Sequence, residues 1–524
     1  MYKVVISDPI SNDGLTPLIE DQSIHLIKKN IYEIPSKKDI HAIIVRSSTN
    51  VTRKLIEDMP DLKIIARAGV GVDNIDIDTA TQHGIVVVNA PDGNTISTAE
   101  HTFAMMLSML RKIPQANHSV RNKEWNRSEF IGHEVHGKQL GIIGFGRIGT
   151  ELAKRALAFH MSVQVYDPFL TKERAEKLQI ENVDLEELLR TSDVITVHTP
   201  LNNETRGLIN KNTLSITKKG AFLLNCARGG IIDENDLVSS LNDGDIAGAA
   251  IDVFTEEPSS NMALIEHPNV IATPHIAAST IEAQYQVARQ VSEDVGNFLE
   301  GQPVRNAINY PATSKEIHDF IYPYVELSQR LGRFLSRCTL KPVSEIQLSY
   351  SGDLTNYETT SVSRGFLAGF LNSRVDQPVN IINANVIAKQ RGITHGETKA
   401  SETFGYSNMI EVTVKGEFGV TTIRGTVLPG LGGRVISLNG FDIDFTPKGH
   451  LVFITHYDHP GVIGRVGRVL GDHRINIATM QVGRKELGGY AAMVLTFDES
   501  LSESVIQSLQ QTEAISTVTA ISIN

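Results

Sequence analysis

The stretch Gln139-Leu-Gly-Ile-Ile-Gly144-Phe-Gly146-Arg147-Ile148-Gly149 decides the fold. It sets Gly-x-Gly-x-x-Gly directly after a strand-forming run and at the start of a helix-forming one. Each glycine has its own job. Gly144 permits a tight turn, Gly146 lets the backbone approach a pyrophosphate, and Gly149 lets helix and strand pack closely. The amides at the helix N-terminus, at the positive end of the helix dipole, then face the phosphates. A glycine-rich turn that binds nothing is the competing reading. Asp167 argues against it, because it follows Gly149 by 18 positions at the end of the next strand, 162–166. A carboxylate there accepts hydrogen bonds from the adenosine ribose hydroxyls and repels a 2′-phosphate, so the expected cofactor is NAD rather than NADP.

Working outward, apolar runs at 4–7, 42–45, 62–66, 85–89, 140–143, 163–166, 194–198 and 222–225 alternate with helix-like segments as far as about residue 300. Continuous Val/Ile/Leu runs separated by helices are what a parallel sheet covered on both faces requires. The expected class is α/β, with Rossmann-like doubly wound sheets. A capping box, Ser97-Thr-Ala-Glu100, is read as the start of a helix through Phe103, Met106, Leu107 and Leu110 to about Pro114. The second strand series begins only at Gly137, so that helix is the connecting element. These features give a substrate-binding unit over 1–97, a nucleotide-binding unit over 98–285, and a return to the first unit over 286–312. The segment 313–447 mixes helices with β-rich pieces at 410–414 and 420–427 and the turn Pro429-Gly430-Leu431-Gly432-Gly433, an α+β pattern. The last segment, 448–524, reads strand, helix, strand, strand, helix, strand, the ferredoxin-like order.

At 524 residues the chain is too long for one core, and 41% hydrophobic with 21% charged residues is ordinary for globular domains. A formal net charge of -11 argues against nucleic acid as a partner but not against a small anion, which responds to local charge. No apolar run approaches the roughly 20 residues that span a bilayer, so no membrane partner is expected. The opening Met-Tyr-Lys-Val-Val-Ile reads as a buried strand rather than a leader. Cys226 and Cys338 are the only cysteines, which fits a reducing cytoplasm. No metal site is expected.

Three later segments carry ionisable residues: Asn225-Cys-Ala-Arg228-Gly229-Gly230, Ile251-Asp252-Val-Phe-Thr-Glu-Glu257-Pro258 and Thr273-Pro274-His275-Ile-Ala-Ala-Ser-Thr280. Ligands of open α/β sheets collect at the carboxyl ends of strands, so the three are expected to converge beside the nicotinamide. Oxidising a 2-hydroxy acid needs a base for the hydroxyl proton while hydride leaves the same carbon. A histidine suits that step, a neighbouring carboxylate orients it, and an arginine fork matches a substrate carboxylate. His275, Glu257 and Arg228 are the candidates for these roles. Singly, His275 also reads as a loop residue after proline and Glu257 as a surface acid.

With these residues in hand, the chain resembles the D-isomer-specific 2-hydroxyacid dehydrogenase family over about residues 1–310. Asn225-Cys-Ala-Arg228-Gly-Gly, Asp252-Val-Phe-x-x-Glu257-Pro and Pro274-His275 stand in the family's order after its glycine motif. The resemblance implies catalytic roles for Arg228, Glu257 and His275 in a cleft that closes on substrate. It also implies cofactor contacts at Arg147, Ile148, Asp167, Thr199, Cys226, Ala227, Arg228, Asp252, His275, Ile276, Ala277 and Ala278, beside Gly144, Gly146 and Gly149.

Within the family, Ala42-Ile-Ile-Val-Arg46-Ser-Ser-Thr49 and Arg67-Ala-Gly69-Val-Gly71-Val-Asp-Asn-Ile-Asp76 are most similar to members that act on D-3-phosphoglycerate. That implies substrate contacts at Arg46, Ser47, Gly69, Val70, Gly71 and Arg127, with the amides near Gly69–Gly71 meeting a carboxylate and the arginines a phosphate. Val70 stands where some relatives carry threonine. It further implies oxidation to 3-phosphohydroxypyruvate, the first step of L-serine biosynthesis. The last unit resembles an ACT domain, a ligand-sensing module, with His456, Asp458 and Asn476 placed to contact L-serine. Pro378-Val-Asn-Ile-Ile-Asn-Ala and Ala388-Lys-Gln-Arg-Gly-Ile393 resemble the intervening domain of the long members. ACT modules pair between subunits, so a homo-oligomer, dimer or tetramer, is expected; both added domains could serve assembly alone. Two other readings stay open: a dehydrogenase of glycerate, glyoxylate or lactate, and a non-catalytic NAD-sensing, corepressor-like protein.

Overall fold

Alternation along the first strands sends successive side chains into two separate cores. The computed structural model describes residues 1–311 and 314–523; the expected boundary between 312 and 313, and Asn524, lie outside the described residues. The first sheet contains β1 (Tyr2–Ile6), β2 (Ile24–Lys28), β3 (Ala42–Val45), β4 (Ile64–Arg67) and β5 (Val86–Asn89), in the order β2-β1-β3-β4-β5 and parallel throughout. Val4, Ile44, Ile64 and Val86 enter one cluster, and Val5, Ile43, Ile65 and Val87 the other. Each such side chain, fully buried, contributes roughly 1.5–3 kcal/mol. The helix Ile281–Leu299 covers the first face through Val287, Val291, Val295 and Leu299. It begins at Ile281, before residue 286, where the return to the first unit was expected. The other face is covered by Arg53–Glu57 and Ile77–Gln82.

The second sheet contains β6 (Gln139–Ile143), β7 (Ser162–Tyr166), β8 (Glu181–Asn182), β9 (Val194–Val197), β10 (Ala221–Asn225), β11 (Ile246–Ile251) and β12 (Val270–Ala272). Its order is β12-β11-β10-β9-β6-β7-β8, all parallel, so the winding reverses beside β6, which carries the glycine motif at its end. That reversal opens the crevice in which such sheets bind ligands. The helices Thr95–Leu110 and Arg147–Ala158 pack on one face.

The connecting helix starts differently from the sequence expectation. It begins at Thr95, and Asn94 at its N-cap makes no side-chain capping bond. Ser97 therefore lies inside the first turn, where its hydroxyl donates to the Asn94 carbonyl at 3.0 Å instead of capping an amide. Glu100 pairs with Arg155 at 3.1 Å. The helix stops at Leu110, and Pro114 opens a second helix, Ile113–Arg121, rather than closing the first.

The third sheet contains β13 (Val343–Gly352), β14 (Thr394–Lys399), β15 (Asn408–Gly416), β16 (Gly419–Leu428), β17 (Gly432–Leu438) and β18 (Phe441–Phe445), in the order β14-β13-β15-β16-β17-β18. Helices Lys315–Cys338 and Thr360–Leu371 share its core. The last sheet holds β19 (Gly449–Tyr457), β20 (Thr479–Arg484), β21 (Tyr490–Phe497) and β22 (Ile515–Ile523), antiparallel in the order β20-β21-β19-β22, with the ferredoxin-like connection of elements. Its own helices cover one face. On the other, Leu451, Phe453, Val494 and Ile521 join Phe334 and Phe445, so the last two units share one continuous core. This pair docks on the first unit: Asn380 donates to the Gly84 carbonyl at 2.8 Å, Asn383 donates to the Gln82 carbonyl at 3.2 Å, and Ile382 joins one of the two cores of the first sheet.

Candidate active site

The carboxyl ends of the two parallel sheets face each other across a cleft of about 690 Å³. One wall carries Arg46, Ser47, Arg67, Gly69, Val70, Gly71 and Asp73; the other carries Arg228, Glu257, His275 and Ala278.

His275 stands in a loop whose shape is imposed by Asp252. The Asp252 carboxylate, wholly buried, accepts the Thr273 hydroxyl at 2.6 Å, the Ile276 amide at 2.9 Å and the Ala277 amide at 3.0 Å. Burial alone would raise its pKa; the bonds from His101, Thr273 and Ile276 outweigh that and leave it below the usual value. The His275 amide donates to the Asp252 carbonyl at 2.8 Å, and its φ of 53° is left-handed, a conformation a non-glycine residue keeps only where its surroundings over-determine it. Its Nδ1 meets Glu257 Oε2 at 2.8 Å, and Glu257 Oε1 accepts the Phe254 amide at 3.1 Å. With the carboxylate on Nδ1, Nε2 is the ring nitrogen available for proton transfer.

Arg228 follows β10. A Cβ on Gly229 would lie 1.8 Å from the Phe254 carbonyl oxygen, so only glycine fits behind it. Its Nη1 donates to the Ala227 carbonyl at 2.7 Å and its Nε to Asp73 at 3.1 Å. Arg67, at the end of β4, had no role in the sequence reading, although a cation at a strand's carboxyl end was a usable signal. It is largely buried, and burial together with the nearby Arg228 charge pulls its pKa down to about 10, so it stays charged at neutral pH. Arg46 and Ser47 lie on a loop held by Asp8, which accepts the Arg46 amide at 2.6 Å, the Thr49 amide at 3.1 Å and the Thr49 hydroxyl at 2.6 Å.

The structure adds to one expectation and departs from another. The hollows at Gly69 and Gly71 are filled by guanidinium groups: a Cβ would fall 1.9 Å from Arg67 Nη1 and 1.8 Å from Arg228 Nη2, respectively. These glycines thus make room for arginines, beyond any contact of their amides with a ligand. Arg127 opens a short exposed helix, Arg127–Phe130, and does not line the cleft of its own chain, because the segment after Ile113–Arg121 runs along the outside of the second unit.

The nucleotide crevice fits a dinucleotide. Gly144, at φ 93°, leaves no space for a side chain beside His198 and Thr199, and a Cβ on Gly149 would meet the Gly144 carbonyl at 2.5 Å, whereas Gly146 faces open space. The helix Arg147–Ala158 starts there with no side-chain cap, leaving its first amides for a phosphate. Thr199 Oγ1 is buried without a partner among the described residues, a polar atom that a ligand would satisfy. Asp167 Oδ2 accepts the Phe145 amide at 2.7 Å, which ties this carboxylate to the glycine turn. Arg147 reaches Asp92 at 2.7 Å, and Ile148 is half-buried beside it. Cys226 is buried, with its thiol pushed up to about 12 by desolvation, so its place by the crevice is one of packing.

The chain matches the family model for the NAD binding domain of D-isomer specific 2-hydroxyacid dehydrogenases over residues 103–277, the D-3-phosphoglycerate dehydrogenase intervening domain over 320–439 and the ACT domain over 450–514. D-3-phosphoglycerate dehydrogenase of Bacillus subtilis is 52% identical, covering 100% of both chains. The chain belongs to the D-3-phosphoglycerate dehydrogenase family. The Methanocaldococcus jannaschii enzyme of the same name is 41% identical, again over 100% of both chains. Among solved structures, D-lactate dehydrogenase from Aquifex aeolicus complexed with NAD and lactic acid has 30% identity and a TM-score of 0.54, covering 59% of this chain and 100% of that one. NAD-dependent formate dehydrogenase from Staphylococcus aureus in complex with NAD has 31% identity and a TM-score of 0.54, covering 60% and 100%. Membership of this family makes the chain an NAD-dependent dehydrogenase with two added C-terminal domains. No helix among the described residues is long and apolar enough to cross a membrane.

The expected effector residues lie in the ACT domain. His456 is buried on β19, its Nδ1 2.9 Å from the Tyr457 carbonyl and its Nε2 without a partner among the described residues. Asp458 pairs with Arg484 at 3.2 Å, and Asn476, exposed ahead of β20, lies 3.5 Å from Asp498.

Proposed function

We propose that this chain oxidises D-3-phosphoglycerate to 3-phosphohydroxypyruvate with NAD, the first step of L-serine biosynthesis. The observation that carries the reading is the set of guanidinium groups, Arg46, Arg67 and Arg228, around the cleft that holds the His275–Glu257 pair. An acidic protein gathers three fixed cations only for a ligand rich in negative charge, and this substrate brings a carboxylate and a phosphate. Arg228 holds the carboxylate and the reacting oxygen. His275 Nε2 takes the hydroxyl proton, and Glu257 stabilises the imidazolium that results. NAD, when bound, supplies the hydride acceptor, positioned by Gly144–Gly149, Asp167 and Thr199. Arg46 and Arg67 meet the phosphate.

The second half of the reading is control. His456, Asp458 and Asn476 receive L-serine, and because Asn380 and Asn383 fasten the regulatory half to the substrate-binding unit, effector binding acts through that unit. The working form is a cytoplasmic homo-oligomer; Trp125 and Ile131, each 76% exposed, offer apolar surface to a second copy. Steady-state NADH formation from 3-phosphoglycerate, with glycerate and lactate in parallel and with L-serine added, tests both halves. Turnover restricted to the phosphorylated acid is expected. No turnover of 3-phosphoglycerate overturns the substrate, and indifference to serine overturns only the control.

A further inference from the structure

The ion pair between Arg228 and Asp73 joins the two walls of the cleft. Arg228 belongs to the nucleotide-binding unit, whereas Asp73 lies in the loop between β4 and the helix Ile77–Gln82 of the other unit. The guanidinium is fixed on two edges: Nη1 on its own unit's Ala227 carbonyl at 2.7 Å, and Nε on Asp73 Oδ2 at 3.1 Å. The third nitrogen, Nη2, lies against Gly71, whose missing side chain makes that approach possible.

The mount of Asp73 is rigid. Its neighbour Asn74 donates to the Arg46 and Thr49 carbonyls, both at 2.6 Å, and the Ile75 amide closes a turn on the Val72 carbonyl at 3.0 Å. The electrostatics also call for a carboxylate here. Arg228 and Arg46 both oppose the charge on buried Arg67, while Asp73 and Asp8 favour it. Without Asp73, Arg228 loses its counter-charge, is pushed away from Arg67, and regains the rotamer freedom of a long side chain.

We propose that Asp73 is a positioning residue for the reaction. It orients Arg228 from across the cleft, so the guanidinium takes its working pose only when the two units stand in register. The inference rests on the reading of Arg228 as the carboxylate clamp and adds the residue that sets its geometry.

The test compares kcat, KM for 3-phosphoglycerate and NADH affinity by fluorescence in Asp73→Asn, Arg228→Lys and the double variant. Asp73→Asn is expected to lower kcat/KM on the order of 10- to 100-fold with NADH affinity unchanged, as misplacement of a catalytic group does. In the Arg228→Lys background the same change should cost little more, because its effect passes through the guanidinium. Asp73→Asn at the wild-type rate, or losses that multiply in full in the double variant, overturns the proposal. If Asp73→Asn fails to fold, Asp73→Ser at this exposed position carries the same expectations. Arg228→Lys at the wild-type rate would instead sink the reading of Arg228, and this inference with it.

Discussion

The two walls of the cleft are built with the same device and put it to different uses. In the first unit Asp8, just past β1, accepts two loop amides and the Thr49 hydroxyl. In the second, Asp252, just past β11, accepts two loop amides and the Thr273 hydroxyl. Each buried carboxylate satisfies the backbone of a loop that has no ladder of its own, and each loop then holds its side chain still. Asp8 holds Arg46, the charge proposed to bind. Asp252 holds His275, the proposed base, which in that role must sit within hydrogen-bonding reach of a reacting hydroxyl, and it does so in a left-handed backbone conformation. The contrast shows where tolerance is smallest: a displaced cation still attracts an anion, whereas a displaced base no longer meets its proton.

The largest effect should come from breaking the more demanding wall. Asp252→Asn removes the charge and turns one acceptor into a donor facing an amide, so kcat/KM should fall on the order of 100-fold or more with the fold intact. Steady-state kinetics and a thermal melt check this, and a variant as active as the wild type would refute the clamp. Asp8→Asn should act on binding: KM for 3-phosphoglycerate rises roughly tenfold while kcat changes little. A fall confined to kcat would erase the contrast between the walls.

The smallest effect concerns pH. His198, partly buried beside Gly144, has its pKa lowered by desolvation to about 4 from an ordinary 6.5. The unfolded chain then takes up a proton that the folded one refuses, so the stability that neutral His198 permits is complete above about pH 6.5 and drains as pH falls toward 4. His198→Asn should flatten that slope in denaturant unfolding followed between pH 7 and 4.5; an unchanged slope would show that other groups carry it.

The parallel sheets were legible because Val/Ile/Leu runs such as 42–45 and 140–143 bury both faces. β11 did not stand out the same way: Ile246-Ala-Gly-Ala-Ala-Ile251 is central yet built of small residues. β2 was hidden by its half-exposed edge position, with His25 and Lys28 in the run. The start of the connecting helix was misread because Ser97-x-x-Glu100 has the composition of a cap, and only the path of the chain out of β5 shows that the first turn comes earlier. His275, Glu257 and Arg228 were legible as residues with suitable chemistry, but not as a geometry.

By itself the sequence determined the α/β class and the dinucleotide crevice and singled out His275 and Glu257, because these depend on periodicity, on glycines that no other residue replaces, and on side-chain chemistry. Only the tertiary structure decided that Arg67 faces the cleft, that Arg127 does not face it in its own chain, that Gly69 and Gly71 shelter guanidinium groups, and that Asp73 reaches Arg228 across 155 positions of sequence. Those facts are distances between elements remote along the chain. Packing sets such distances, and no local pattern of residues encodes them.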